Sequence, residues 1–184
     1  MTHLSLWLFT ALILAVGLER LAELVVSTQH ASWAFARGGA ERGQSHYPFM
    51  VLLHTGLLAG ALAEAWLADR PFVPVLGWPM LALVVASQAL RWWCISSLGN
   101  QWNTRVIVVP GLPLVRRGPY ALSPHPNYVA VVVEGLALPL VHTSWLTAVI
   151  FTLANAALLR VRIRVEEEAL RELAAPAPAA GGVG

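Results

Sequence analysis

Two stretches of the 184-residue chain hold the residues whose types and spacing could do chemistry. The first is Gly118-Pro119-Tyr120-Ala121-Leu122-Ser123-Pro124-His125-Pro126-Asn127-Tyr128. Pro126 suits the first position of a helix, where its missing N–H costs nothing. Free backbone N–H groups and the positive end of the helix dipole would then offer a seat for an anionic group. His125 adds a switchable donor or acceptor, and Tyr128 a phenol. The second stretch is Arg160-Val161-Arg162-Ile163-Arg164-Val165-Glu166-Glu167-Glu168. Arg162 and Glu166 stand four apart, as do Arg164 and Glu168, so each pair shares a helix face. A guanidinium placed there can grip a carboxylate or an enolate in a bidentate way. Both stretches also have a plain reading, as a proline-marked helix start with interfacial anchors and as ion pairs under a helix end.

Glu64 and Glu134 are acidic residues in apolar runs, and such residues are functional candidates when the run crosses a membrane. Glu134 is six residues past Tyr128, in the helix that would floor the first stretch. Glu64 stands near the outer end of its helix, within reach of the interface. His54 reads as a packed, hydrogen-bonded histidine. Gly56 and Gly60 form a GxxxG suited to close helix packing, which permits a dimer without requiring one. Cys94, the one cysteine, reads as an apolar filler and excludes an internal disulfide or a cysteine-based zinc cluster. No Walker loop, GxGxxG, GxSxG or HExxH occurs, so phosphoryl, hydride and protease signatures are missing and no metal site is expected.

The elements that must position these residues follow from composition. The chain is 57% hydrophobic and 12% charged, with mean hydropathy +0.63. A soluble domain is about 25% charged, so this chain has too little polar surface for a water-exposed globule. All twelve basic residues are arginine, and the net charge of +2 leaves no nucleic-acid footprint. A membrane span needs about 20 mostly apolar residues. Five segments qualify: Leu4 to Val26, Tyr47 to Ala68, Phe72 to Leu90 or on to Leu98, Asn127 to Val141, and Ser144 to Leu159. The last two form a tight helical hairpin. With the N-terminus outside, ten of the twelve arginines fall on inner loops and the tail, as the positive-inside rule asks. Tryptophans then gather in two interfacial belts. The expected fold is thus an all-α polytopic membrane protein of about five spans with a cytoplasmic C-terminus. Residues 1–98 form a three-helix part. Residues 99–174 form a long inner loop, the hairpin and a cytoplasmic C-terminal helix, and 175–184 a disordered tail. The loop from Gly99 to Pro126 holds five prolines and three glycines, which forbid a continuous helix.

Four pieces in order carry a resemblance. They are Leu98-Gly99-x-x-Trp102, Leu114-Val115-x-x-Gly118-Pro119-Tyr120, His125-Pro126-x-Tyr128, and Arg162-Ile163-x-x-Glu166-Glu167-x-x-Leu170. The set resembles the isoprenylcysteine carboxyl methyltransferase family of integral membrane enzymes. Trp102-Asn103-Thr104-Arg105 most resembles bacterial members associated with methylation of alkylresorcinols and alkylpyrones. The resemblance implies S-adenosylmethionine as methyl donor, bound on the cytoplasmic side of the bacterial inner membrane. It implies cofactor contacts from His125, Tyr128, Asn127 and Glu166 and a closing loop at Gly118, Pro119 and Tyr120. Arg162 and Glu167 would stand at the methyl acceptor as catalytic residues, with Trp102, Arg105 and Glu134 on the substrate side. The family usually has Arg or Lys directly before His-Pro, where this chain has Pro124. Arg116 or Arg117 would have to supply that cation.

The implied reaction is O-methylation of a lipophilic acceptor drawn from the bilayer. A carboxylate is already ionised at pH 7, whereas a phenol, with pKa about 10, needs a base or a nearby cation. The competing readings are a non-enzymatic carrier or scaffold and a phospholipid N-methyltransferase. The odd span count offers a carrier no clear inverted repeat, and an amine acceptor would not call for Arg162.

Overall fold

A computed structural model describes residues 2–174, so the expected tail at 175–184 lies outside the described residues. Five α-helices dominate: α1 (Thr2–Phe35), α2 (Tyr47–Leu67), α3 (Pro74–Leu98), α4 (Pro126–Leu140) and α5 (Trp145–Ala174). The core is built from helical stripes. Leu6, Phe9, Ile13 and Val16 of α1 repeat at three- and four-residue spacing and meet Ala61 and Ala65 of α2, Val84 of α3, and Ala137 and Leu138 of α4. Residues on either side of position 98 therefore share one core. Leu52, Val75 and Leu153 are exposed, as lipid-facing side chains are.

Among the described residues, three helical stretches are long and apolar enough to cross a membrane: Gln44–Leu67, Pro74–Gln101 and Trp145–Glu172. The shorter α4 is apolar too. Helix α1 has 34 residues, about 50 Å at 1.5 Å each, so it outruns a hydrocarbon layer of about 30 Å. The membrane helix ending at Leu159 and the following C-terminal helix are one continuous element, α5. It starts against a cap from α2: the Leu146 and Thr147 N–H groups donate to the Glu64 carboxylate, at 3.1 and 2.8 Å, satisfying two free donors of that helix end. Arg70 pairs with the same carboxylate at 3.0 Å. Gly135 of α4 lets α5 approach, because a Cβ there would collide with the Phe151 ring. Gly60 of the GxxxG packs within the chain, a Cβ there lying 3.3 Å from Thr147.

The fold is mostly helical, as the all-α expectation has it, with one short strand pair that the sequence reading did not foresee. Strands β1 (Ala40–Arg42) and β2 (Val106–Val108) pair antiparallel, with Glu41 opposite Ile107. The β-branched run Val106 to Val109 favours extended backbone, and the pairing clamps the long loop to the segment after α1. Arg105 reinforces it through an ion pair with Glu41 at 3.1 Å.

Glu134 does not join the loop. It pairs with Arg91 of α3 at 2.7 Å and with Arg20 of α1. Arg20 also pairs with Glu23 at 2.5 Å, and Arg91 Nε lies 3.3 Å from Glu23. Gln88 bridges Arg20 and Glu19, and the Trp92 indole donates to Glu19 at 2.6 Å. Arg91 is thus buried in a network that binds α1, α3 and α4.

Candidate active site

The loop after α3 begins by docking on α1. Asn103 Nδ2 donates to the Ser27 carbonyl at 3.0 Å, and the Thr104 N–H donates to Ser27 Oγ at 3.1 Å. A His30 ring nitrogen lies 2.9 Å from the Trp102 carbonyl oxygen. The segment 102–105 is therefore fixed at three points. Further on, Gly118 takes φ +58°, a left-handed conformation that favours glycine, and a Cβ there would collide with Ser97 Oγ. This seats the 3₁₀ turn Gly118–Ala121 on α3. Burial there, and next the Cys94 thiol, hold the Tyr120 hydroxyl above its ordinary pKa, so it stays a neutral phenol. Pro126 opens α4 with His125 as its N-cap residue, as its position in the sequence predicts.

These elements and the end of α5 enclose a cavity of about 660 Å³. Nine of the twelve expected site residues line it: Trp102, Arg105, Tyr120, His125, Asn127, Tyr128, Arg162, Glu166 and Glu167. Gly118 and Pro119 stand behind the wall, and Glu134 is in the ion network. Arg116 lines the cavity, whereas Arg117 turns away to donate to the Ser97 carbonyl at 3.1 Å.

Arg162 and Glu166 do not pair directly. Arg162 Nε donates to the Tyr128 hydroxyl at 3.0 Å, and that hydroxyl donates to Glu166. The Thr104 carbonyl accepts from Arg162 Nη2 at 2.6 Å, and Met50 Sδ touches Nη1. Arg162 is 7% exposed, and the polar contacts of its guanidinium here are neutral. The His125 ring stacks on Tyr128 with centroids 5.4 Å apart. Its Nε2 lies 3.5 Å from Glu167 and its Nδ1 3.9 Å from Glu166. Sequence reasoning missed Thr104 and Met50 as partners of Arg162, since a backbone carbonyl and a thioether leave no motif.

A second cavity of about 580 Å³ lies among α1, α2 and α5. Its walls are mainly apolar, with Leu14, Leu21, Leu58 and Leu158 among them. Trp102, Asn127, Tyr128 and Arg162 line both cavities. The cavity bounded by the loop is the more polar of the two, and the one bounded by helices is the more apolar. They meet at a buried cation.

A profile of the isoprenylcysteine carboxyl methyltransferase family matches residues 80–172, just over half of the chain. An uncharacterized protein of Bacillus subtilis, YpbQ, is 39% identical over 167 residues, which span 90% of this chain and 96% of that one. An uncharacterized protein of Haemophilus influenzae is 25% identical over 166 residues, 89% of this chain and 93% of that one.

Proposed function

The chain belongs to the isoprenylcysteine carboxyl methyltransferase family, and on that premise we propose that it O-methylates a lipophilic acceptor at the membrane. Enzymes of this family take the methyl group from S-adenosylmethionine. The observation that carries the reading is the meeting of the two cavities at Tyr128 and Arg162. Methyl transfer needs donor and acceptor brought into line with water kept out. A polar chamber and an apolar chamber sharing one wall meet that need.

The residues present fit the cofactor. Asn127 Oδ1 and His125 Nδ1 are buried without a hydrogen-bond partner among the described residues, and both residues line the polar chamber. Asn127 Oδ1 suits an ammonium or hydroxyl donor. The start of α4 and Arg116 suit a carboxylate, with Arg116 standing in for the basic residue that Pro124 replaces. Glu166 and Glu167 make the chamber favourable to a cation. When bound, the cofactor supplies a methyl group already activated on a sulfonium.

The protein's own part is to hold and, where needed, to ionise the acceptor. Arg162 binds the reacting oxygen as an anion. Tyr128 keeps the guanidinium in place, accepting from it and donating to Glu166. With a carboxylate acceptor no base is needed. With a phenol or enol, Glu167 takes the proton and Arg162 stabilises the resulting anion. The apolar chamber takes the acceptor's tail. Phenolic or enolic polyketide lipids of the alkylresorcinol or alkylpyrone kind, and prenylated or alkyl carboxylates, both fit. In this reading all five helices span the bacterial cytoplasmic membrane, with the N-terminus outside and the polar chamber facing the cytoplasm.

The test is transfer of labelled methyl from S-adenosylmethionine in membranes holding the protein, with pentadecylresorcinol or N-acetyl-S-farnesylcysteine as acceptor. Labelled lipid formed by wild type and lost in Arg162→Ala is the expected result. Incorporation unchanged in Arg162→Ala would overturn the role given to that residue.

A further inference from the structure

Trp102 is 3% exposed, and its indole Nε1–H has no hydrogen-bond partner among the described residues. The indole is a donor only, and a buried donor left unpaired is costly. The backbone of Trp102 is already committed. Its N–H donates to the Gly99 carbonyl at 2.9 Å, and its carbonyl faces His30. Trp102 lines both chambers. Two residues on, the Thr104 carbonyl accepts from Arg162. Trp102 and Arg162 both line the wall that the two chambers share.

We infer that Trp102 Nε1–H is a second hydrogen-bond donor for the acceptor's head group, which must carry a second oxygen beside the one that is methylated. The inference rests on the methyltransferase reading and narrows it. The reacting oxygen goes to Arg162 and the neighbouring oxygen to the indole. A head group with one oxygen leaves the indole unpaired and binds more weakly. An amine head group meets neither donor. Trp102 is then a positioning and specificity residue, distinct from the proton-handling groups. It sets the head group's rotation, and with it which oxygen meets the methyl carbon.

Two probes with identical tails test this: meta-pentadecylphenol, with one oxygen, and pentadecylresorcinol, with two. Purified wild type and Trp102→Phe are first titrated with S-adenosylhomocysteine, then, saturated with it, with each probe. Phenylalanine keeps an aromatic ring and removes the donor. Wild type should bind the two-oxygen probe about tenfold more tightly, as expected for one hydrogen bond to a buried donor. Trp102→Phe should bind both alike and keep its affinity for S-adenosylhomocysteine. Equal binding of the probes by wild type overturns the inference without any variant. A preference that survives in Trp102→Phe overturns it, and so does a loss of S-adenosylhomocysteine binding in that variant, which would put the indole on the cofactor. Failure of wild type to bind S-adenosylhomocysteine is a separate result, and it would remove the methyltransferase reading itself.

Discussion

Arg162 and Glu166 stand one helical turn apart, yet the Tyr128 hydroxyl lies between them, accepting from Arg162 at 3.0 Å and donating to Glu166. A side chain of α4 thereby fixes the direction of a cation on α5. Helix α4 is the element whose first turn borders the polar chamber, so both chambers depend on the same contact.

Tyr128→Phe removes that bridge while keeping the ring that stacks on His125. Arg162 is then free to swing toward Glu166 as an ordinary pair four residues apart. Turnover of a lipid acceptor should fall at least about tenfold, the order of one charge-assisted hydrogen bond, with the loss in kcat. Steady-state kinetics on purified protein decide it. Unchanged kcat would show that the bridge does not hold Arg162 in its working position.

Arg116 and Arg117 are adjacent in sequence but face different ways. Arg116→Ala should weaken S-adenosylhomocysteine about tenfold or more, as loss of a contact to a carboxylate does. Arg117→Ala should leave that affinity within about threefold and lower thermal stability, because its partner is the Ser97 carbonyl. Calorimetric titration of both variants separates the roles, and equal effects would remove Arg116 as the substitute cation.

Glu134 accepts from both Arg20 and Arg91. Glu134→Gln leaves the buried Arg91 and the half-buried Arg20 to share the Glu23 carboxylate, a change that costs at most about 3–5 kcal/mol, the cost of breaking a buried ion pair. Thermal unfolding in detergent should show a large fall in stability. A stable variant that fails only to turn over substrate would instead return Glu134 to the acceptor site.

His142, in the turn between α4 and α5, is 1% exposed, and its Nε2 lies 3.2 Å from Ser5 Oγ. Burial holds its imidazole below the ordinary value of 6.5. The unfolded chain therefore binds more protons than the folded one just below that value, and stability falls as pH drops through that window. The contribution is fully present above pH 6.5. Melting temperature should decline from pH 7.5 to 5.5 in wild type, and decline less in His142→Gln. Equal declines in both would place the titrating group elsewhere.

Much of this arrangement is legible in the sequence. Pro126 marks the start of α4, apolar length marks the other helices, and the spacing of His125, Tyr128, Arg162, Glu166 and Glu167 gives residues that do line one chamber. What is hidden depends on distant pairing. Strands β1 and β2 are three residues each, too short to show an alternation, and β1 pairs with residues far along the chain. Glu134 carries the signature of an intramembrane functional residue, and the same signature fits a buried ion network. Only its partners decide, and Arg20 is 114 residues away. The anchoring of residues 102–104 uses Ser27 and His30 of α1, in a helix that runs past the end of its apolar segment, and each of the three contacts has a backbone atom on one side.

The most direct test of the central claim is calorimetric titration of the purified protein with S-adenosylhomocysteine, beside His125→Ala and Arg162→Ala. Saturable binding by wild type, weakened about tenfold or more by His125→Ala and spared by Arg162→Ala, is the predicted result. Absence of saturable binding to folded wild type would contradict the account.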